Sequence, residues 1–138
     1  MTKLNPYMHF KDKTREAMEF YKSVFGGELT ISTFKEGMGR NGPDADKVMH
    51  AMLLIGPEMT LMASDTPSNM EYNPGASIEM SLSGDDSDRE ELTGYWGKLS
   101  KGASISMPLD KSPWGDTFGM LTDKFGIQWM INIASKKE

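Results

Sequence analysis

From Ala17 the apolar residues fall at Ala17, Phe20, Tyr21, Val24 and Phe25, which is the i, i+3, i+4, i+7, i+8 stripe of one helix face. Gly26-Gly27 follows at once and supplies the stop. A second stripe runs through Leu92, Tyr95, Trp96 and Leu99 and ends near Gly102. Asp85, Asp86, Ser87 and Asp88 stand before it as cap candidates, with acids at the positive end of the helix dipole. Around each helix the period changes to two, as strands require. The first half reads "NPYMHF", helix, "ELTISTF", "KVMHAMLLIG", "EMTLMAS"; the second reads "SIEMSLS", helix, "ASISMP", "DTFGMLTD", "IQWMINI". Each half is thus predicted to be β-α-β-β-β.

The halves also align without a gap. "REAMEFYKSVFGGELTIS" lies over "REELTGYWGKLSKGASIS" at a constant offset of 74, pairing Arg15 with Arg89, Glu16 with Glu90, Tyr21 with Tyr95, Ile31 with Ile105 and Ser32 with Ser106. Five identities in eighteen carry weight here because both segments also predict the same elements. "DTPSNMEYNPGA", rich in turn formers, reads as the linker, and "KEGMGRNGPDADK" as a long loop between the second and third strands. The expected fold is α+β, a single domain over 1–138. Module 1 spans about 3–66, the linker 67–76 and module 2 about 77–135. One module leaves a sheet face bare. Two can pair about a pseudo-twofold to enclose a cleft between curved mixed sheets, with helices outside.

Alternation then assigns faces. Met8 and Phe10 should meet the first helix, leaving Asn5, Tyr7 and His9 inward. Ile78, Met80 and Leu82 should meet the second, leaving Glu79, Ser81 and Ser83 inward, and the offset of 74 agrees, since Asn5 maps to Glu79 and Tyr7 to Ser81. Trp129, Ile131 and Ile133 form a core set, with Gln128, Met130 and Asn132 opposite. Thr60, Met62 and Ser64 face the hollow in the fourth strand, and His50 does so in the third. A single bulge would invert such an assignment.

Composition narrows the classes. With 38% hydrophobic and 25% charged residues in 138, the chain builds a globular core. No apolar run approaches the ~20 residues a membrane helix needs, so no membrane association is expected. The opening "MTKLNPYMHF" has no signal-peptide apolar region. A net charge of -5 and the lack of any basic stripe beyond the terminal "SKKE" argue against nucleic acid. The absence of cysteine removes disulfides and thiolate sites and fits a cytoplasmic address. Thirteen methionines serve either as core filler or as the wall of an apolar site.

Each candidate residue has a functional and a structural reading. His9 and His50 suit a base or ligand role, or simple hydrogen bonding within strands. Asp65, ending "LMASD", would anchor a ligand at the mouth of the hollow or serve as a turn residue. Glu79, in mid-strand among apolar neighbours, would have its charged form desolvated, which is how a carboxylate becomes a base near neutrality. Trp114 would lid the hollow or touch a partner, and Asn132 would orient a ligand. "DDSDREE" lacks the glycine and the terminal glutamate of a calcium loop and reads as a capped helix start. No G-x-S-x-G and no P-loop occurs.

The stretches "NPYMHF…EAMEFYKSVFGGEL", "DKVMHAMLLIG", "LMASD" and "MPLDKSPWGDTFGMLTDKFGIQWMIN" together resemble the vicinal-oxygen-chelate superfamily of glyoxalases, bleomycin-resistance proteins and extradiol dioxygenases. More narrowly they resemble its PhnB-like branch, whose members often carry a 3-demethylubiquinone 3-methyltransferase label. The resemblance runs from Asn5 to Asn132. It implies a homodimer and, in the superfamily's enzymes, a divalent metal held from strands one, four, five and eight. Carried over by strand and facing, those positions are Asn5, Thr60, Glu79 and Met130. Only Glu79 among them is a good ligand for such ions, and His50 or His9 would have to converge on it. Two functions follow: a small-molecule-binding protein with an apolar cleft that lacks the metal set, or a metal-dependent lyase, isomerase or dioxygenase. A third, methyl transfer, rests on the label, since "GMGRNG" neither follows a parallel strand nor opens a helix.

Overall fold

The computed structural model describes residues 3–39, 41–75 and 78–135, and the chain divides into two compact units at Pro74/Gly75. Ser77, the expected first residue of the second module, and "KKE" of the terminal tail lie outside the described residues.

In the first unit the order is β1 (Tyr7–Phe10), α1 (Thr14–Phe25), β2 (Glu28–Thr33), α2 (Phe34–Met38), β3 (Val48–Gly56) and β4 (Met59–Asp65). The sheet order is β1-β4-β3-β2, with β1 parallel to β4 and the other pairs antiparallel. The helix α1 forms where the apolar stripe lies, and Ala17, Met18, Tyr21, Val24 and Phe25 are buried. It packs on β2, β3 and β4, against the face that carries Ala51, Leu53, Leu61 and Ala63. Burial of each large apolar side chain there contributes about 1.5–3 kcal/mol. Gly26 caps the helix, and Gly27 after it has φ +96°, where a Cβ would stand 2.3 Å from the Leu54 carbonyl oxygen. Only glycine lets α1 turn this tightly onto the sheet.

The second unit repeats the plan: β5 (Met80–Gly84), a 3-10 turn (Asp86–Asp88), α3 (Arg89–Leu99), β6 (Ser104–Lys111), β7 (Thr117–Thr122) and β8 (Gln128–Ile133). Its sheet order is β5-β8-β7-β6, again with the first pair parallel. The offset of 74 survives in the elements themselves, since α3 ends at Leu99 where α1 ends at Phe25. Leu92, Ile131 and Ile133 form the buried centre, with Leu82, Tyr95, Trp96 and Leu109 around it. Gly119 of β7 lies beneath the Trp96 ring: a Cβ there would meet Trp96 Cη2 at 2.8 Å and Leu109 Cα at 2.9 Å.

Four expectations need correction. The long loop after β2 begins with helix α2, which Thr33 and Glu36 hold by a capping box; the Thr33-x-x-Glu36 signature was in the sequence. The fifth strand begins at Met80, so Ile78 precedes it and is 83% exposed rather than core. Glu79 therefore also stands before the strand, half-buried, not in its middle. The sixth strand continues past "ASISMP" to Lys111, with register shifts between Ile105 and Met107 and again before Asp110.

Candidate functional site

Each sheet has one face covered by its helix and one face free of it. The free faces carry the chemistry-bearing residues. In the first unit the register Tyr7↔Met62, Met62↔Met52 and Met52↔Thr30 sets one row straight across β1, β4, β3 and β2. The next row pairs His9 with Ser64 and His50 with Ser32. One further step along the β3–β4 ladder from Ala51↔Ala63 brings Ser64 level with His50. The row therefore reads His-Ser-His-Ser.

Tyr7 leans from its own row between the two imidazoles. Its ring centroid lies 5.2 Å from that of His9 and 5.8 Å from that of His50. Its hydroxyl is 3.3 Å from His50 Nδ1, and the Ser64 hydroxyl is 3.4 Å from His9 Nδ1. Tyr7 and His9 are exposed and His50 is half-buried, so the group lies open on the sheet. Alternation assigned His50 to this face although the β2–β3 register skips Met49, which leaves both Val48 and Ala51 buried on the other side.

In the second unit the equivalent row is Ser81, Met130, Met120 and Met107, and the next is Ser83, Asn132, Phe118 and Asp110. Trp114 stands 59% exposed in the β6–β7 turn and meets Phe118 edge-on at 5.4 Å. The turn is fixed by Ser112, whose N–H donates to the Asp116 carbonyl at 2.7 Å, and by Asp116. The Asp116 carboxylate accepts the Ser135 N–H at 2.9 Å and the Asn132 amide at 3.1 Å. These two hydrogen bonds, that from Ser135 foremost, hold its carboxyl below the usual carboxylate range. Part of the Asn132 amide is thus already committed to the turn.

The two units share methionines in the same row of the same face: Met62 and Met52 in one, Met130, Met120 and Met107 in the other. Of these, Met52, Met107 and Met120, with Phe118, were missed as site candidates. Carrying the parity of His50 two residues on would have found Met52, and the parity opposite the buried Leu121 would have found Met120. Thr60 stands beyond Met62, opposite Leu54.

Asp65 does not belong with them. It lies on the helix side of β4, 5% exposed, where its carboxylate accepts the Thr14 N–H at 3.0 Å and the Val48 N–H at 2.9 Å. It caps the start of α1 and ties down the start of β3, so both oxygens serve the fold. Asn5 precedes β1, half-buried, as Glu79 precedes β5.

Among the described residues no three side chains of the His, Asp or Glu type gather as a metal ion would need. The donor set at the four implied positions, Asn5, Thr60, Glu79 and Met130, holds one carboxylate and no imidazole. It does not fit the hard or borderline divalent ions of the superfamily's enzymes. No helix among the described residues is long and apolar enough to cross a membrane.

Comparison with known proteins agrees with this architecture. The family model described as 3-demethylubiquinone-9 3-methyltransferase matches residues 2–132. The crystal structure of protein PA1353 from Pseudomonas aeruginosa is 33% identical, with a TM-score of 0.86, over 99% of this chain and 100% of that one. A PhnB protein from Bacillus cereus, provisionally described as a 3-demethylubiquinone-9 3-methyltransferase, is 27% identical at a TM-score of 0.71, covering 96% and 100%. A member of the glyoxalase/bleomycin resistance protein/dioxygenase superfamily from Sphaerobacter thermophilus shares the fold at 19% identity and a TM-score of 0.57, covering 96% and 98%. The chain belongs to the family described as 3-demethylubiquinone-9 3-methyltransferase, is similar to a PhnB protein, and shares its fold with a member of the glyoxalase/bleomycin resistance protein/dioxygenase superfamily.

Proposed function

We propose that the protein binds a small, largely apolar molecule on the helix-free faces of its sheets, and that it works without the superfamily's metal. The observation that carries this reading is the row of thioethers repeated in both units, flanked by Tyr7 in the first and by Phe118 and Trp114 in the second. Methionine is flexible and polarisable, so a row of it accommodates ligands of varied shape. Five methionines on the free faces, rather than beneath the helices, favour a binding wall over core filler. Tyr7, His9, His50, Ser81 and Asn132 supply the few polar points that orient a ligand on such a wall.

Methyl transfer has little support beyond the family description. The connection from β1 to α1 is Lys11-Asp12-Lys13, with no glycine, and that from β5 to α3 is Asp85-Asp86-Ser87-Asp88, with a single glycine, Gly84, at the strand end before it. Neither resembles the Gly-rich turn that seats S-adenosylmethionine beside a parallel strand. We further place the protein in the cytoplasm as a homodimer. The absence of cysteine supports the compartment, the resemblance supports the dimer, and sedimentation equilibrium tests the latter.

The binding reading is tested with N-phenyl-1-naphthylamine, whose fluorescence rises on an apolar surface. The wild-type chain is expected to bind it saturably. Met52→Asp/Met62→Asp and Met120→Asp/Met130→Asp, each checked for an unchanged circular dichroism spectrum, are expected to weaken it. Saturable binding indifferent to both pairs would overturn the assignment.

A further inference from the structure

We infer that the ligand of the first unit's free face carries an anionic oxygen group, and that this group lodges against the imidazoles of His9 and His50, over the Tyr7 ring that stands between them. The inference rests on the apolar-binding reading above and adds the ligand's head group. It comes from the hydrogen-bond state of the two rings. Each Nδ1 faces an O–H group, the Tyr7 phenol for His50 and the Ser64 hydroxyl for His9. A phenol O–H is a stronger acid than an imidazole N–H, so Tyr7 donates and His50 Nδ1 accepts. In its neutral form His50 then carries its hydrogen on Nε2, while at the Ser64–His9 contact either group can donate. Among the described residues neither Nε2 has a hydrogen-bond partner. The His50 Nε2–H therefore stands unused, and the unpartnered Nε2 of His9 belongs to a ring on the other side of the same phenol.

The charges around them point the same way. Within the strands of this unit the carboxylates are Glu28 and Asp65. Asp65 is on the opposite face with both oxygens engaged. Glu28 stands opposite Leu54, four residues along β2 from Ser32, or about 13 Å away. Beyond the strands, α2 reaches Ser32 Oγ at the end of this row through Gly37, and Oε1 of its Glu36 accepts from the Thr33 N–H and hydroxyl. In a chain of net charge -5, the strands of this patch carry no carboxylate beside the two rings. Met62 and Met52 lie in the adjoining row, so a molecule with an acidic head and an apolar body would place each part against matching groups.

Octanoate, octyl phosphate, octanol and octyltrimethylammonium share one chain and differ in the head, and titration calorimetry compares them. Octanoate or octyl phosphate is expected to bind about tenfold more tightly than octanol, the difference between a charge-assisted and a neutral hydrogen bond. The ranking of the two anions then says whether a carboxylate or a phosphate fits better. The ammonium is expected to bind less well than octanol. His9→Gln/His50→Gln is expected to bring the anion-to-alcohol ratio to about one. Equal binding of anions and octanol by the wild-type chain, or a ratio that survives the double substitution, overturns the head-group inference and leaves the apolar wall standing. Failure of all four probes overturns both.

Discussion

Asp65→Ala separates two roles that a carboxylate at a strand end could have. The side chain sits 5% exposed and accepts two backbone N–H groups, from Thr14 at 3.0 Å and Val48 at 2.9 Å. Removing it leaves both donors buried and unpaired, one of them at the N-terminus of α1. An unsatisfied buried donor costs about 1–3 kcal/mol. The pair therefore costs about 2–6 kcal/mol, less what is regained by no longer desolvating a carboxylate, and about 3 kcal/mol is the expected net loss. For a chain of this size that lowers Tm by roughly 10 °C. Urea unfolding followed by far-UV circular dichroism reads the same loss as a lower midpoint at unchanged slope. Asp65→Asn should cost less, because one oxygen still accepts while the amide nitrogen opposes the other N–H. At temperatures where Asp65→Ala remains folded, its binding of N-phenyl-1-naphthylamine should match that of the wild type. A loss below about 1 kcal/mol together with abolished probe binding would return Asp65 to the ligand set and refute the reasoning.

Three further outcomes follow from single contacts. Gly119→Ala pushes a methyl group into Trp96 Cη2 and Leu109 Cα, both under 3 Å away, and is expected to destabilise by about 1–3 kcal/mol in the same urea assay. The Tyr95 phenol is pushed up to about 12, first by burial and then by its hydrogen bond to Glu91 and the charge there. Being raised in the folded state, it contributes stability that is complete below the unfolded value near 10 and is lost as pH rises towards 12. Absorbance titration at 295 nm should show a late-ionising tyrosine that is missing in Tyr95→Phe. S-adenosylmethionine at millimolar concentration is expected to leave Tm unchanged, whereas a site with micromolar affinity would contribute about 4 kcal/mol and raise it by more than ~10 °C.

What was legible in the sequence was what repeats at short range. The α1 stripe is read from residues three and four apart, and the strand faces from residues two apart, so Tyr7, His9, Met62, Met130 and the core set Trp129, Ile131 and Ile133 emerge from alternation. Alternation gives a parity but no endpoint, which is why Ile78 and Glu79 were drawn into a strand that begins at Met80. The role of Asp65 depends on Thr14 and Val48, 51 and 17 residues away, and no local pattern encodes those partners. The Tyr7–His50 contact spans 43 residues in the same way. The helix α2 was hidden differently: its capping box was written in the sequence but sat in a glycine-rich run that suggested a loop.

The duplicated plan offers an internal control on the site. By the offset of 74, Tyr7 answers to Ser81 and His9 to Ser83. Both pairs stand on the helix-free face of a first strand that lies parallel to the last strand of its unit. One repeat thus folds with serine in both places, so neither the phenol nor the imidazole is required by the strand pairing. The methionine row is kept in both units, while the neighbouring row differs: His-Ser-His-Ser in one and Ser-Asn-Phe-Asp in the other. A feature shared by both repeats belongs to what the two faces do in common, and a feature of one belongs to what that face does alone. Tyr7→Ser/His9→Ser makes the first face like the second at these positions. Because both residues are exposed, stability should change by no more than about 0.5 kcal/mol in urea. The preference for octanoate over octanol should fall with the loss of the His9 ring and of the phenol that sets the His50 tautomer. Marked destabilisation would mean that Tyr7 and His9 hold the sheet together, and the donor argument would then lose its footing.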